Sequence, residues 1–395
     1  MADDARPFDL VLFGATGFTG GLTADYLAAS SPPGSRWAIA GRNPDKLERV
    51  RQRLQAEAPD SVEVGVVRAD VTDAASLAEL ARATRVIATT VGPYVNYGEP
   101  LVRACAEAGT DYLDLTGEPE FVDRMYVAHH ARAVETGARL IHCCGFDSIP
   151  HDLGVLYTVG QLPGGVPLEV EGFVRAEAQF SAGTYHSAVT GFSRPKQNVD
   201  AARERKRVEP RAADRSVRGV RKRPHREPAI EGHWAVPMPT IDPQIVLRSA
   251  RALDAYGPAF SYGHYADVKS LRYAAGGAAA VGGAFLGAQI PPVKRFMLGR
   301  LESGQGPSEE RRARSWFRVR FLGSGGGRQV VTQVSGGDPG YTETSKMLAE
   351  ATLAVAHDEL PDMAGQLTTA AAIGQPLIDR LEAAGISFEV LDAGA

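Results

Sequence analysis

The chain has 395 residues, 44% of them hydrophobic and 23% charged, so it exceeds what one hydrophobic core usually serves and should fold as more than one domain. A formal net charge of −4 gives no whole-molecule attraction to nucleic acid, and no nucleic-acid partner is expected. Three cysteines, two of them the adjacent Cys143 and Cys144, supply no disulfide framework and fit a reducing cytoplasm. The opening residues lack the basic and apolar regions of a signal peptide, so export is not expected. Only seven of the 43 basic residues are lysine, the bias of a GC-rich coding sequence and hence of a bacterial source.

The first 150 residues alternate apolar runs with helical periodicity, the pattern of βα units on a parallel sheet. Phe8 to Phe13 reads as a strand, and Phe18 to Ala29 as a helix with Leu22, Tyr26 and Leu27 on one face. Trp37 to Ala40 is the second strand. Asn43 and Pro44 then supply an N-cap and a first-turn proline for a helix through Leu47, Val50 and Leu54. Further strands are expected at Val62 to Val67, Val86 to Val91, Tyr112 to Leu115 and Arg139 to Cys143, with a helix over Tyr97 to Gly109. Six strands in this order suit a doubly wound nucleotide-binding sheet.

After Pro150 the rhythm changes. Leu168 to Phe180 and Trp316 to Phe321 read as alternating strands of a second, mixed domain. Residues 203–226 hold 11 Lys or Arg against three Asp or Glu with almost no apolar residues, and read as a basic loop. Ala274 to Ile290 carries no charge and five glycines over 17 residues, short for a membrane span. It admits a buried helix, an oligomer face or a patch resting on a membrane, with burial the default. Tyr341 to His357 and Ala364 to Ala384 read as helices, and Phe388 to Leu391 as a brief strand. The expected architecture is α/β: a Rossmann-type doubly wound sheet over 1–152, a mixed α+β substrate or oligomerisation domain over 153–337, and C-terminal helices over 338–395 returning to the first domain.

Directly after the first strand stands Gly14-Ala15-Thr16-Gly17-Phe18-Thr19-Gly20. Glycines there permit a tight turn and close approach of a pyrophosphate, while the helix N-terminus offers N–H groups and positive potential. The end of the second strand selects the cofactor. A ribose-diol site would place an acid there, but the chain has Arg42 and Asn43, and a guanidinium suits a 2′-phosphate, so NADP(H) is favoured. Asp70 meets the adenine edge or caps a helix. Thr90, Val91 and Gly92 end the fourth strand at the switch point, where the nicotinamide half of a dinucleotide lies. Phe146 and Asp147 leave the sixth strand toward the same edge, and Asp147 touches the cofactor or substrate there or caps the next helix.

With these residues the chain resembles the saccharopine dehydrogenase-like oxidoreductases, and among them the trans-acting enoyl reductases. The resemblance runs end to end through Gly14 to Gly20, Trp37 to Asn43, Thr90 to Tyr94 with Tyr97 to Pro100, Cys144 to Pro150 and Gly336 to Thr344. It implies an NADP-binding domain, a substrate domain, and reduction of an enoyl group on a carrier-bound or lipid-linked polyketide intermediate by an enzyme acting in trans. The wider family leaves open a dehydrogenase of a small amino or keto acid, and a non-catalytic NADP sensor is a further alternative. A carrier domain of a polyketide synthase is generally acidic, so the basic stretch at 203–226 is a candidate docking surface. Enoyl reduction needs a donor for the developing enolate oxygen and a proton for the α-carbon. Tyr94 on the switch-point loop, and Tyr185 and His186 in the second domain, are the candidates. His142, Cys143 and Cys144 lack zinc-site spacing, and no metal is expected.

Overall fold

A computed structural model describes residues 6–57, 63–178, 182–210, 215–299 and 306–392. Its first half is a parallel sheet of β1 (Phe8–Phe13), β2 (Trp37–Gly41), β3 (Val64–Arg68), β4 (Thr84–Thr89), β5 (Asp111–Asp114) and β6 (Arg139–Ile141), in the spatial order 3-2-1-4-5-6. Leu10, Val11 and Leu12 of β1 and Ala38, Ile39 and Ala40 of β2 are fully buried, as strands covered on both faces require. The helices Ala74–Ala83, Glu99–Ala108 and Pro119–Thr136 cover one face. Phe18–Ser30 and Thr342–His357 cover the other. The third strand starts at Val64, and Val62, where it was expected to begin, lies outside the described residues.

The second sheet is mixed. It comprises β7 (Leu168–Glu177), β8 (Ser216–Val220), β9 (His225–Glu227), β10 (His233–Pro237), β11 (Ala259–Val268), β12 (Trp316–Gly325) and β13 (Arg328–Gly336). The helix Ile149–Val159 runs directly from the parallel sheet onto it and is buried along nearly its whole length. A Cβ on Gly154 would meet the Phe321 ring at 2.4 Å and Val334 at 3.0 Å, so the missing side chain lets helix and sheet touch. The last part of the chain then joins both sheets. β14 (Gly365–Leu367) adds a parallel strand beside β6, and β15 (Ser387–Asp392) pairs with β13.

Three expectations are corrected here. Residues 203–226 are not a basic loop: they include the end of the helix Pro195–Val208, then β8 and β9, with 211–214 outside the described residues. Several of the cations are paired, Arg205 with Asp123, Arg215 with Asp254 and Lys222 with Glu171. Second, Ala274 to Ile290 is not buried. It lies in the helix Leu271–Ala288, where Tyr273 is 77% and Leu286 66% exposed, followed by the helix Pro291–Leu298 with Phe296 65% exposed. Third, the stretch from Ala364 to Ala384 is not one helix but β14 and the helices Thr369–Ala372 and Gln375–Ala383. No helix among the described residues is long and apolar enough to cross a membrane.

Candidate active site

The carboxyl ends of β1 and β4 flank the point where the strand order reverses, and the turn Gly14 to Gly20 occupies it. Gly14 has a φ of +103°, open only to glycine at low cost, and a Cβ on Gly20 would lie 2.1 Å from the Gly14 carbonyl oxygen. Gly17 starts the following helix without a side-chain cap, which leaves the helix N-terminus to a ligand's oxygens. Ala15, Thr16 and Thr19 lie in the same turn, and Phe18 forms its outer wall. The Phe18 ring meets Tyr341 edge-on at 4.9 Å and lies 5.6 Å from the Arg312 guanidinium. These features fit a dinucleotide pyrophosphate.

Arg42 is exposed just past β2, beside Asn43, whose side chain accepts from the Lys46 N–H and so caps the next helix. Asp70 follows β3. Its carboxylate accepts from the backbone and hydroxyl of Thr72, and these bonds, with the nearby Arg42 and Arg68, hold it below its ordinary range. Asp70 is therefore not the cap of the helix Ala74–Ala83; Asp73 is, accepting from Ala75 and Ser76. An arginine beside the ribose position, where an acid would serve a free diol, fits a 2′-phosphate.

At the switch point Thr90 donates to the Gly14 carbonyl at 3.3 Å, and Val91 and Gly92 lead into a cis Gly92-Pro93 bond. Tyr94 is corrected as an oxyanion donor. Its hydroxyl donates to the Thr89 carbonyl at 3.1 Å and accepts from the Leu115 N–H at 3.2 Å, and burial pushes the phenol well up. It is buried and braces the loop through these two backbone bonds. Tyr185 and His186 are half-buried in the helix Ala182–Phe192. That helix reaches the switch point through the next residue, Ser187, which donates to Glu118 Oε1 at 2.6 Å. Glu118 also accepts from the N–H groups of Tyr94 and Val95, so one buried carboxylate joins the second domain to the switch-point loop.

The loop after β6 closes this edge. Phe146 donates its N–H to Thr344 and its ring packs on Phe317, 5.0 Å away. Asp147 Oδ2 lies where a Cβ on Gly117 would be 2.8 Å from it, so Gly117 makes room for the carboxyl. Burial, then the negative charge of Asp242, pushes the Asp147 carboxyl up to about 7.

Two comparisons decide the family. The model of the saccharopine dehydrogenase NADP-binding domain matches residues 10–141. A protein of Mycobacterium ulcerans named a trans-acting enoyl reductase is 36% identical over 415 residues, covering 98% of each chain. A saccharopine dehydrogenase-like oxidoreductase of Bos taurus is 33% identical over 446 residues, covering 100% of this chain and 99% of its own. The chain belongs to the saccharopine dehydrogenase-like oxidoreductases. It is an NADP-dependent oxidoreductase, and the glycine turn and Arg42 are the residues that fit NADP(H). The saccharopine dehydrogenase (L-Glu forming) of Saccharomyces cerevisiae, 12% identical with a TM-score of 0.52 over 97% of this chain and 99% of its own, shares the fold.

In this oxidoreductase the sequence reading missed the groups that tie the domains together. Glu118 stands in Thr116-Gly117-Glu118-Pro119, where a glycine and a first-turn proline mark a tight exit from β5, but nothing local announces Ser187 as its partner. Asp152 is fully buried and accepts from Ser249, Thr369 and the Ala370 N–H. His151, Asp242 and His264 also converge in the interior between the sheets. His142 instead pairs with Asp114 at 2.6 Å, and the Cys143 and Cys144 thiols are pushed well up by burial, which makes them inert.

Proposed function

We propose that this oxidoreductase reduces the α,β-double bond of an enoyl group on a lipid-linked or carrier-bound acyl chain, acting in trans. The observation that carries this reading is an exposed apolar hairpin tethered to the site. The helices Leu271–Ala288 and Pro291–Leu298 present Tyr273, Val281, Leu286 and Phe296 to solvent. Lys294 donates to Ser193, and Phe285 packs on Phe192, at the end of the helix whose Ser187 binds Glu118 at the switch point. Large apolar side chains exposed on two consecutive helices suit a long acyl chain or a lipid surface. The relatives named trans-acting enoyl reductase support the same reading.

NADPH held by the Gly14–Gly20 turn and Arg42 would supply a hydride for the β-carbon. The α-carbon then needs a proton, and Asp147 is the group we assign to it, because its carboxyl keeps its proton to near neutrality at the same edge. Tyr185 and His186, one turn or less from Ser187, would face the acyl carbonyl from the second domain. The exposed Lys206, Arg207, Arg218, Arg221 and Arg223 remain a candidate surface for an acidic carrier domain. A cytoplasmic enzyme whose exposed hairpin makes peripheral contact with a membrane goes with this reading.

Purified protein, NADPH and an α,β-unsaturated acyl thioester test the reading. The expected result is oxidation of NADPH with formation of the saturated thioester, faster for long than for short chains. Oxidation with a keto acid and an amine, and none with the enoyl thioester, would move the assignment to an amino-acid dehydrogenase.

A further inference from the structure

The interior between the two sheets brings together three side chains of the types that ligate metals, none of which is assigned a step in the proposed reduction. His151 lies in the first turn of the helix Ile149–Val159, Asp242 opens the helix Asp242–Ala252, and His264 lies in β11. They are 2%, 3% and 5% exposed, and one ligand atom from each lies within 4.8 Å of the others. His151 Nδ1 is 3.3 Å from Asp242 Oδ1, and His264 Nε2 is 3.3 Å from Asp242 Oδ2.

We propose that His151, Asp242 and His264 bind a divalent transition-metal ion of the zinc type. Neither nitrogen makes an aligned hydrogen bond to the carboxylate it approaches, and the other nitrogen of His151 is unpartnered too. Buried ring nitrogens left this way are costly, and a shared ion satisfies them. One atom from each side chain lies within 4.8 Å of the other two, close enough for all three to reach a single ion at roughly 2.0–2.2 Å. The surroundings set the ligand atoms as such sites require. Tyr262 hydroxyl meets His264 Nδ1 at 3.1 Å, leaving Nε2 for the ion, and Thr240 donates to Asp242 Oδ2 at 2.5 Å. His151 comes from the nucleotide-binding half, Asp242 and His264 from the mixed half, so the ion would clamp one to the other. His151 also meets the Phe146 ring at 5.8 Å, which puts the clamp one residue from Asp147.

The test uses the full chain, dialysed against chelator and then titrated with zinc chloride, with bound metal measured after gel filtration. One ion retained per chain, a rise in melting temperature with zinc, and tetrahedral-type absorption bands when cobalt(II) replaces zinc are the expected results. Asp242→Asn and, separately, His264→Gln should weaken retention by more than about 100-fold. Both should still bind NADPH, which shows that they fold. Zinc retention equal in the variants and the parent chain would overturn the site, as would a parent chain whose metal content and melting are unmoved by zinc or chelator. Metal retention is read without substrate, so failure of the site is distinguishable from failure of enoyl reduction, which the thioester assay reads separately, even though the Asp242 charge also acts on Asp147.

Discussion

Arg42 stands exposed just past β2, where we assign it to the ribose 2′-phosphate, and the Asp70 carboxylate is bonded to Thr72. Charge-assisted hydrogen bonds contribute about 1.5–3 kcal/mol, so Arg42→Ala should weaken NADPH binding roughly 10- to 100-fold. NADH binding should change little, and fluorescence titration with both nucleotides checks this. Asp147→Asn should lower turnover by about 10²–10⁴ while NADPH affinity stays within a few-fold, because only the proton is lost. A variant with unchanged turnover would remove Asp147 from the proton transfer. Asp9 gives a residue-scale test of stability. Burial alone would raise its carboxyl, but hydrogen bonds from the Arg36 backbone and guanidinium outweigh it and hold the group below its ordinary value. A lowered folded-state value adds stability above the unfolded value of about 4, lost as pH falls through the folded one. Asp9→Asn should therefore cost about 1 kcal/mol in urea unfolding at neutral pH, Arg36 being partly exposed, and progressively less as the pH falls below about 4 toward the lowered folded value.

Between elements, close approach governs. Gly154→Ala would push a methyl into Phe321 where the helix Ile149–Val159 lies on the mixed sheet, and should cost about 1–3 kcal/mol in urea unfolding. Gly20→Ala meets the Gly14 backbone instead, which cannot yield, so it should abolish NADPH binding while the rest of the chain still unfolds cooperatively. The same contrast explains what could be read from the chain. β1 and β2 are near-continuous apolar runs between glycines and helices, a signal nearly complete within each segment, whereas β4 starts at Thr84 and Arg85, ahead of the Val86 at which its apolar run begins; the glycine turn and Arg42 follow from local spacing. β11 was missed because Gly263, His264 and Asp267 break its apolar run. β14 is three residues long and becomes a strand only through β6. Glu118, His151, Asp242 and His264 act through partners tens of residues away, so no spacing in the sequence marks them. Tyr94 was misassigned for a related reason: its position was legible, but the Thr89 and Leu115 backbone groups that occupy its hydroxyl were not.

On the scale of the whole molecule, the helix Ala182–Phe192 links the Glu118 carboxylate at the switch point to the exposed hairpin through Ser187 at one end and Phe192 and Ser193 at the other. Leu286→Glu with Phe296→Glu should abolish co-sedimentation with anionic vesicles yet leave turnover of a short-chain thioester within two-fold, roughly the spread of surface substitutions. Reversing charge at Arg218, Arg221 and Arg223 should raise KM for a carrier-bound substrate and leave that of a free thioester unchanged. The account stands most directly on one measurement: NADPH carrying deuterium at the transferable position, incubated with the protein and a long-chain enoyl thioester, with the product analysed by mass spectrometry. The account predicts a saturated thioester with one deuterium at the β-carbon, formed with NADPH far faster than with NADH. Tight NADPH binding without transfer of deuterium to the thioester would contradict it.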